Sequence, residues 1–170
     1  FRKLLWMLVG VAVLVLVALV VRTDQRSDPD KASSTPHLAQ FELTDHTGVV
    51  RTQEDFEGRW MLVFFGFANC PDVCPTTLAD IAAVVGDLGA DASKVQPLFI
   101  SIDPKRDTPQ SLAEFIPRFE AGIIGLTGAP EQTERTAKSF FVFYEKIEEA
   151  VAPDGYTMGH TNHNCPYSAP

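Results

Sequence analysis

The chain has 170 residues, with 14 Lys+Arg against 22 Asp+Glu and a formal net charge of −8. Past the first 21 residues, which hold only Arg2 and Lys3, the balance is 12 basic against 22 acidic residues, a net charge of −10. That excludes a nucleic-acid binder, which needs a basic footprint. The acidity is read as a solvated surface, with docking to a basic partner as the sharper alternative.

Leu4 to Val21 is an unbroken run of 18 residues without a charge, at the lower end of what crosses a bilayer as a helix. Arg2 and Lys3 precede it, no small-residue cleavage pattern follows it, and no cysteine stands after it to take a lipid. Residues 1–21 are therefore read as one transmembrane anchor. The basic leading end predicts a cytoplasmic N-terminus with the rest of the chain outside. A removed signal peptide is the competing reading. Residues 22–36 are rich in Asp, Ser, Pro and charge and read as a flexible linker. About 130 residues follow, one domain of ordinary size with room for a core.

Phe41 to Leu43, the turn Asp45-His46-Thr47-Gly48 and Val49-Val50 read as a hairpin. His46 in that turn is expected to face solvent rather than to act as a ligand. Met61 to Phe67 reads as a central strand buried on both faces. A helix follows over Pro75 to Leu88, with Leu78, Ile81, Val85 and Leu88 on one face and Thr77 and Asp80 in capping-box spacing. Leu98 to Ile102 is the next strand, parallel to the first by a right-handed crossover.

Asp103 to Pro109 is a loop, with Thr108 as N-cap and Pro109 at the first helical position. Leu112, Phe115, Ile116 and Phe119 keep helical spacing, though Pro117 should end or kink that helix. A short strand over Ile123 to Leu126 and a helix over Pro130 to Phe141 come next. Phe141 to Ile147 and Tyr156 to His160 are expected to pair antiparallel through Pro153-Asp154-Gly155. This order predicts an α/β fold with a mixed sheet flanked by helices, as in thioredoxin-like proteins.

Chemistry concentrates in Phe67-Ala68-Asn69-Cys70-Pro71-Asp72-Val73-Cys74-Pro75. A C-x3-C spacing at a helix start places two sulfurs one turn apart on one side. The positive end of the helix is expected to help both thiols ionise. Two soft thiolates suit reversible disulfide chemistry or a soft metal such as Cu(I). A plain stabilising disulfide is the bland alternative, and it would close too short a loop to constrain much. The three cysteines Cys70, Cys74 and Cys165 leave an odd count. In an oxidising compartment the first two would form a disulfide unless a reductant or a metal held them, so a copper role implies a thiol reductase partner.

The motifs Cys70-Pro71-Asp72-Val73-Cys74-Pro75, Asp103-Pro104-Lys105-Arg106-Asp107-Thr108-Pro109, Leu126-Thr127-Gly128 and Tyr156-Thr157-Met158-Gly159-His160-Thr161 resemble those of the Sco/SenC family of copper-handling thioredoxin-like proteins. The resemblance runs from about Phe41 to His163. It implies a domain over residues 37–163 and a third metal ligand, the histidine of the late strand, which carries over to His160. Two thiolates and one imidazole would make a three-coordinate site for Cu(I), with fuller coordination for Cu(II). The chain departs from the family where Gly159 takes the place of an aspartate, so a carboxylate orienting the imidazole is missing there. His163 is the rival, on the opposite face of an extended strand. Asp72 and Asp103 are read as outer ligands or electrostatic tuners. For Asp103, helix capping or a hydrogen bond with Arg106 is an equal alternative, and Asp107 is open to a structural reading too.

The resemblance implies a metallochaperone on the inner (cytoplasmic) membrane, facing the periplasm, that delivers copper to the binuclear copper centre of cytochrome c oxidase. The alternative is an enzyme, a thiol–disulfide oxidoreductase or peroxidase of thioredoxin-like type. A third option is an anchored binding domain whose cysteines are structural. Residues 164–170, Asn-Cys-Pro-Tyr-Ser-Ala-Pro, are expected to be an aberrant or truncated tail, unable to continue a central strand, with Cys165 accidental.

Overall fold

The computed structural model describes residues 40–160 and 166–167. The expected anchor over residues 1–21 and the linker over 22–36 lie outside that span. Among the described residues no helix is long and apolar enough to cross a membrane.

Eight strands and three α-helices make up the described chain. They are β1 (Glu42–Asp45), β2 (Val50–Thr52), β3 (Trp60–Gly66), α1 (Val73–Asp87), β4 (Val95–Ser101), α2 (Pro109–Phe115), β5 (Ile124–Thr127), α3 (Pro130–Ser139), β6 (Tyr144–Glu148), β7 (Tyr156–His160) and β8 (Pro166–Tyr167). Six strands form one sheet in the order β2-β1-β5-β4-β3-β8, while β6 and β7 form a separate antiparallel pair. β3, β4 and β5 run parallel, and β1 and β8 are antiparallel to their neighbours. The result is the mixed sheet with flanking helices that the element order predicts.

β4 takes the central place, and six of its seven residues are buried, Gln96 through Ser101. Parallel strands covered on both faces need such near-continuous apolar runs. Phe99 is fully buried and its ring lies 6.1 Å from that of Phe64 and 5.8 Å from that of Phe115. A further aromatic group, Phe41, Phe56, Phe65 and Phe140, fills the space toward β1 and α3.

Several boundaries differ from the sequence reading for local reasons. α1 starts at Val73 rather than Pro75, so Asp72 is its N-cap and the expected Thr77–Asp80 box falls inside the helix. Pro75 is tolerated there because first-turn N–H groups have no helical partner to lose. Leu88 lies past the helix end and is exposed, leaving Cys74, Leu78 and Val85 as the buried stripe. Thr108 caps α2 as predicted, its hydroxyl accepting the Ser111 N–H at 3.2 Å. At Pro117 the α-helix gives way to a 3-10 turn, Ile116–Phe119. α3 stops at Ser139, and Phe141 takes a left-handed φ of 56°.

The tail contributes more than its composition implies. Pro166 and Tyr167 pair antiparallel with Leu62 and Met61 of β3. Proline fits because this is the outer edge of the sheet, where a missing N–H costs no ladder bond.

Candidate metal centre

β3 delivers the chain to the carboxyl edge of the sheet, where sites of open α/β sheets gather. Phe67 is buried, and the backbone then tightens, with the Cys70 N–H donating to the Phe67 carbonyl at 3.2 Å. Cys70 precedes α1 and is half-buried; Cys74 lies in the first turn and is fully buried. The Cys74 N–H donates to the Cys70 sulfur at 3.3 Å, and both thiols are free.

For Cys74 this corrects the expectation that the helix start helps its thiol ionise. Cys74 shares the helix stripe with Leu78 and Val85, so the core that seats the helix also buries its sulfur. Burial is the main cause that pushes the Cys74 thiol up to about 12, and the adjoining Cys70 sulfur and the Asp107 carboxylate add to it. The positive end of a helix does not outweigh that desolvation. Gly66 sits beneath the sulfur: a Cβ there would lie 2.9 Å from Cys74 Sγ and 3.0 Å from the rings of Phe64 and Phe99.

The loop after β4 faces this segment and binds it through buried polar groups. Asp107 accepts the Ala68 N–H at 3.0 Å and the Ser101 hydroxyl at 2.7 Å, and its carbonyl accepts the Thr127 hydroxyl at 2.6 Å. Burial raises its carboxyl pKa, the two hydrogen bonds counter that, and the Asp103 charge reinforces it. Asp107 is thus structural, pinning the backbone two residues before Cys70.

Asp103 is buried and bonded to Arg106 Nε and to the Tyr156 hydroxyl, the latter at 3.0 Å. Arg106 Nη1 donates to the Tyr156 carbonyl at 3.2 Å, and its guanidinium lies 3.9 Å from the centre of the Tyr156 ring. Burial, and then donation to Asp103, push the Tyr156 phenol above its ordinary range. The hydrogen bond with Arg106 expected for Asp103 is present. Asp72 remains an exposed N-cap. Tyr156 opens the last of the quoted motifs, but its bonds to Asp103 and Arg106, about 50 residues earlier, are what motif spacing does not reveal.

His160 closes β7, its backbone paired with Tyr144; its side chain, His163 and Cys165 lie outside what is described. Among the described residues no group of three or more His, Cys, Asp and Glu is placed to hold a metal, so the cysteine pair stands alone there. His46 is not in open solvent as expected. It is half-buried, with Nδ1 accepting the Gly125 N–H at 3.2 Å and its own N–H donating to the Gly125 carbonyl at 2.9 Å. That exchange extends the β1–β5 pairing by one step.

A mixed α/β sheet with paired cysteines at the start of a helix defines a thioredoxin-like protein. Residues 29–165 match the SCO1/SenC family, and the chain belongs to that family. The bovine mitochondrial Protein SCO2 homolog is 40% identical over 125 residues, 72% of this chain and 47% of the relative. The chain thus spans about half the length of the curated relatives it matches. The structure of Bradyrhizobium japonicum ScoI with copper bound is 39% identical with a TM-score of 0.67, covering 72% of this chain and 76% of that one. BsSco, described as a member of the Sco family of cytochrome c oxidase assembly proteins, is 27% identical with a TM-score of 0.52, over 60% and 63% of the two chains.

Proposed function

We propose that this protein is a copper metallochaperone for cytochrome c oxidase assembly, holding copper on Cys70, Cys74 and His160. The observation that carries the reading is the pair of unbridged sulfurs joined by the Cys74 N–H to Cys70 Sγ contact of 3.3 Å, at the carboxyl edge of the sheet. The donor set fits the metal: two sulfurs suit Cu(I), and an added imidazole suits Cu(II). Copper-bound relatives of this family, and BsSco's description as a cytochrome c oxidase assembly protein, support the same reading. Cys70 is the accessible sulfur and Cys74 the buried one, so an accepting protein would meet Cys70 first.

In this reading residues 1–21 anchor the chain in the inner membrane as a single span. Residues 22–36 tether the domain on the periplasmic side, and a thiol reductase keeps the cysteines reduced. The cargo passes to the copper-bearing subunit of the oxidase. The linker's composition and the charge order around Leu4 to Val21 support this topology.

The same half-exposed Cys70 backed by a buried Cys74 is also the arrangement of an attacking and a resolving thiol, which favours thiol–disulfide oxidoreductase activity as the second reading. Competitive Cu(I) titration of the reduced full chain in detergent, beside an insulin-reduction assay, separates the two. We expect one Cu(I) per chain, lost in Cys70→Ser and in Cys74→Ser, and no catalysis of insulin reduction. Unchanged copper stoichiometry in Cys70→Ser overturns the metallochaperone.

A further inference from the structure

We propose that Asp103, Arg106 and Tyr156 form a clasp that positions the β6–β7 hairpin against the cysteine loop, and so sets how well His160 serves the metal. The inference rests on His160 as a ligand, as proposed above.

The hairpin is not part of the six-stranded sheet, and a two-stranded pair is marginally stable by itself in water. Four of the five β6 residues, Glu145 to Glu148, are exposed. Tyr144 and Met158 give the pair an apolar seat on the core, but apolar contact sets no register and no direction. Directional contact comes from Tyr156, which is buried and engaged at three separate groups. Its hydroxyl donates to Asp103 at 3.0 Å, its carbonyl accepts from Arg106 Nη1 at 3.2 Å, and its ring lies under the Arg106 guanidinium at 3.9 Å. Asp103 and Arg106 are themselves ion-paired, with side chains 4% and 8% exposed. The three residues therefore close a triangle in which each touches the other two.

The same loop grips the other half of the site. Asp107, next to Arg106, holds the Ala68 N–H at 3.0 Å, and the Arg106 guanidinium also lies 5.9 Å from the Phe67 ring. Loop 103–107 is thus bonded to the segment leading into Cys70 and to the first residue of the strand ending at His160. From Tyr156 to His160 the strand rises about 13 Å, so a hairpin that pivots at Tyr156 carries His160 with it. A ligand in place only part of the time lowers affinity by that fraction. Cu(I) can be held by two thiolates, whereas Cu(II) favours the nitrogen donor. The clasp should therefore bear on Cu(II) far more than on Cu(I).

The test uses the reduced full chain in detergent and four variants: Tyr156→Phe, Arg106→Lys, His160→Ala, and Tyr156→Phe with His160→Ala. Tyr156→Phe removes a single hydroxyl and Arg106→Lys keeps the charge, so folding is kept, with thermal melting as the check. Competition titrations give the Cu(I) and Cu(II) affinities separately, and the electron paramagnetic resonance spectrum of the Cu(II) form reports nitrogen coordination. We expect Tyr156→Phe to weaken Cu(II) about tenfold, as for one lost charge-assisted hydrogen bond. Arg106→Lys should weaken it further, both with a diminished nitrogen signature and with Cu(I) affinity within about threefold. The double variant should bind Cu(II) no more weakly than His160→Ala alone. Equal losses for both copper states, or a full Tyr156→Phe loss in the His160→Ala background, would reduce the clasp to a fold stabiliser and overturn the proposal. Failure of the underlying reading looks different: His160→Ala would then leave Cu(II) affinity and spectrum unchanged, and the clasp would fall with it. If His160→Ala weakens Cu(II) while Tyr156→Phe does not, only the clasp falls.

Discussion

The two segments proposed to share the metal are built in opposite ways. The cysteine loop is continuous with β3 and α1, so Cys74 is placed by the same packing that seats Leu78 and Val85. The segment ending at His160 belongs to a separate two-stranded unit whose outer strand is largely exposed. One is fixed within the core, the other by a small apolar seat and the directional bonds of Tyr156. The lesson is that the Cys74 sulfur gains rigidity at the expense of its acidity, since the burial that places it also pushes its thiol up to about 12. The hairpin rests on the core through Tyr144 and Met158, and its directional contacts gather at Tyr156.

Alanine truncations in the two regions should show this asymmetry most visibly. Phe99→Ala empties a fully buried position on β4 and should cost about 3–5 kcal/mol. Ile147→Ala on β6, where the side chain is 42% exposed, should cost about 0.5 kcal/mol. Chemical denaturation checks both, and comparable losses would show that the hairpin is as much a part of the core as β4.

Gly66→Ala probes the slack beneath the sulfur. The new Cβ would press on Cys74 Sγ from 2.9 Å, with the Phe64 and Phe99 rings at 3.0 Å, and overpacking of this kind costs about 1–3 kcal/mol. Cu(I) affinity should fall alongside the melting temperature, because the sulfur is what must shift. A variant that melts normally and holds Cu(I) unchanged would mean that the pocket yields.

Acid sharpens the contrast from the far edge of the sheet. Asp45 is buried, which opposes ionisation. Hydrogen bonds from the Thr47 hydroxyl, Arg51 Nε and the Val49 and Thr47 N–H groups outweigh that and hold its carboxyl well below the usual range. Because the folded value is depressed, the stabilisation is present above the unfolded value near pH 4 and is lost as pH falls toward the folded one. Asp45→Asn should cost about 2 kcal/mol at pH 7, and the gap from the parent should narrow below pH 4. A gap that is constant with pH would assign the cost to geometry instead of charge.

The smallest effect belongs to the hairpin surface. Lys146 Nζ lies 4.3 Å from the centre of the Tyr156 ring, and an exposed cation–π contact is worth about 0.5–1 kcal/mol. Lys146→Ala should speed amide exchange in β6 and β7 while leaving β4 untouched, since local opening follows local contacts. Faster exchange in β4 as well would deny the hairpin its independence.

The sequence by itself determined the order of elements, because alternating and continuous apolar runs report burial directly. It also determined the cap at Thr108 and the break at Pro117, where one residue's backbone chemistry suffices. The cysteine pair and the family were legible from contiguous motifs. What only the tertiary structure decided involves partners far apart in the chain. The edge role of Pro166–Tyr167 depends on which side of β3 lies open, and the bond between His46 and Gly125 on which strand comes to lie beside β1. The role of Tyr156 rests on Asp103, 53 residues away, and no local periodicity encodes that pairing. The acidity of Cys74 was beyond reach for the same reason. The helix start is visible in the sequence, but the desolvation that outweighs it comes from the sheet packed beneath.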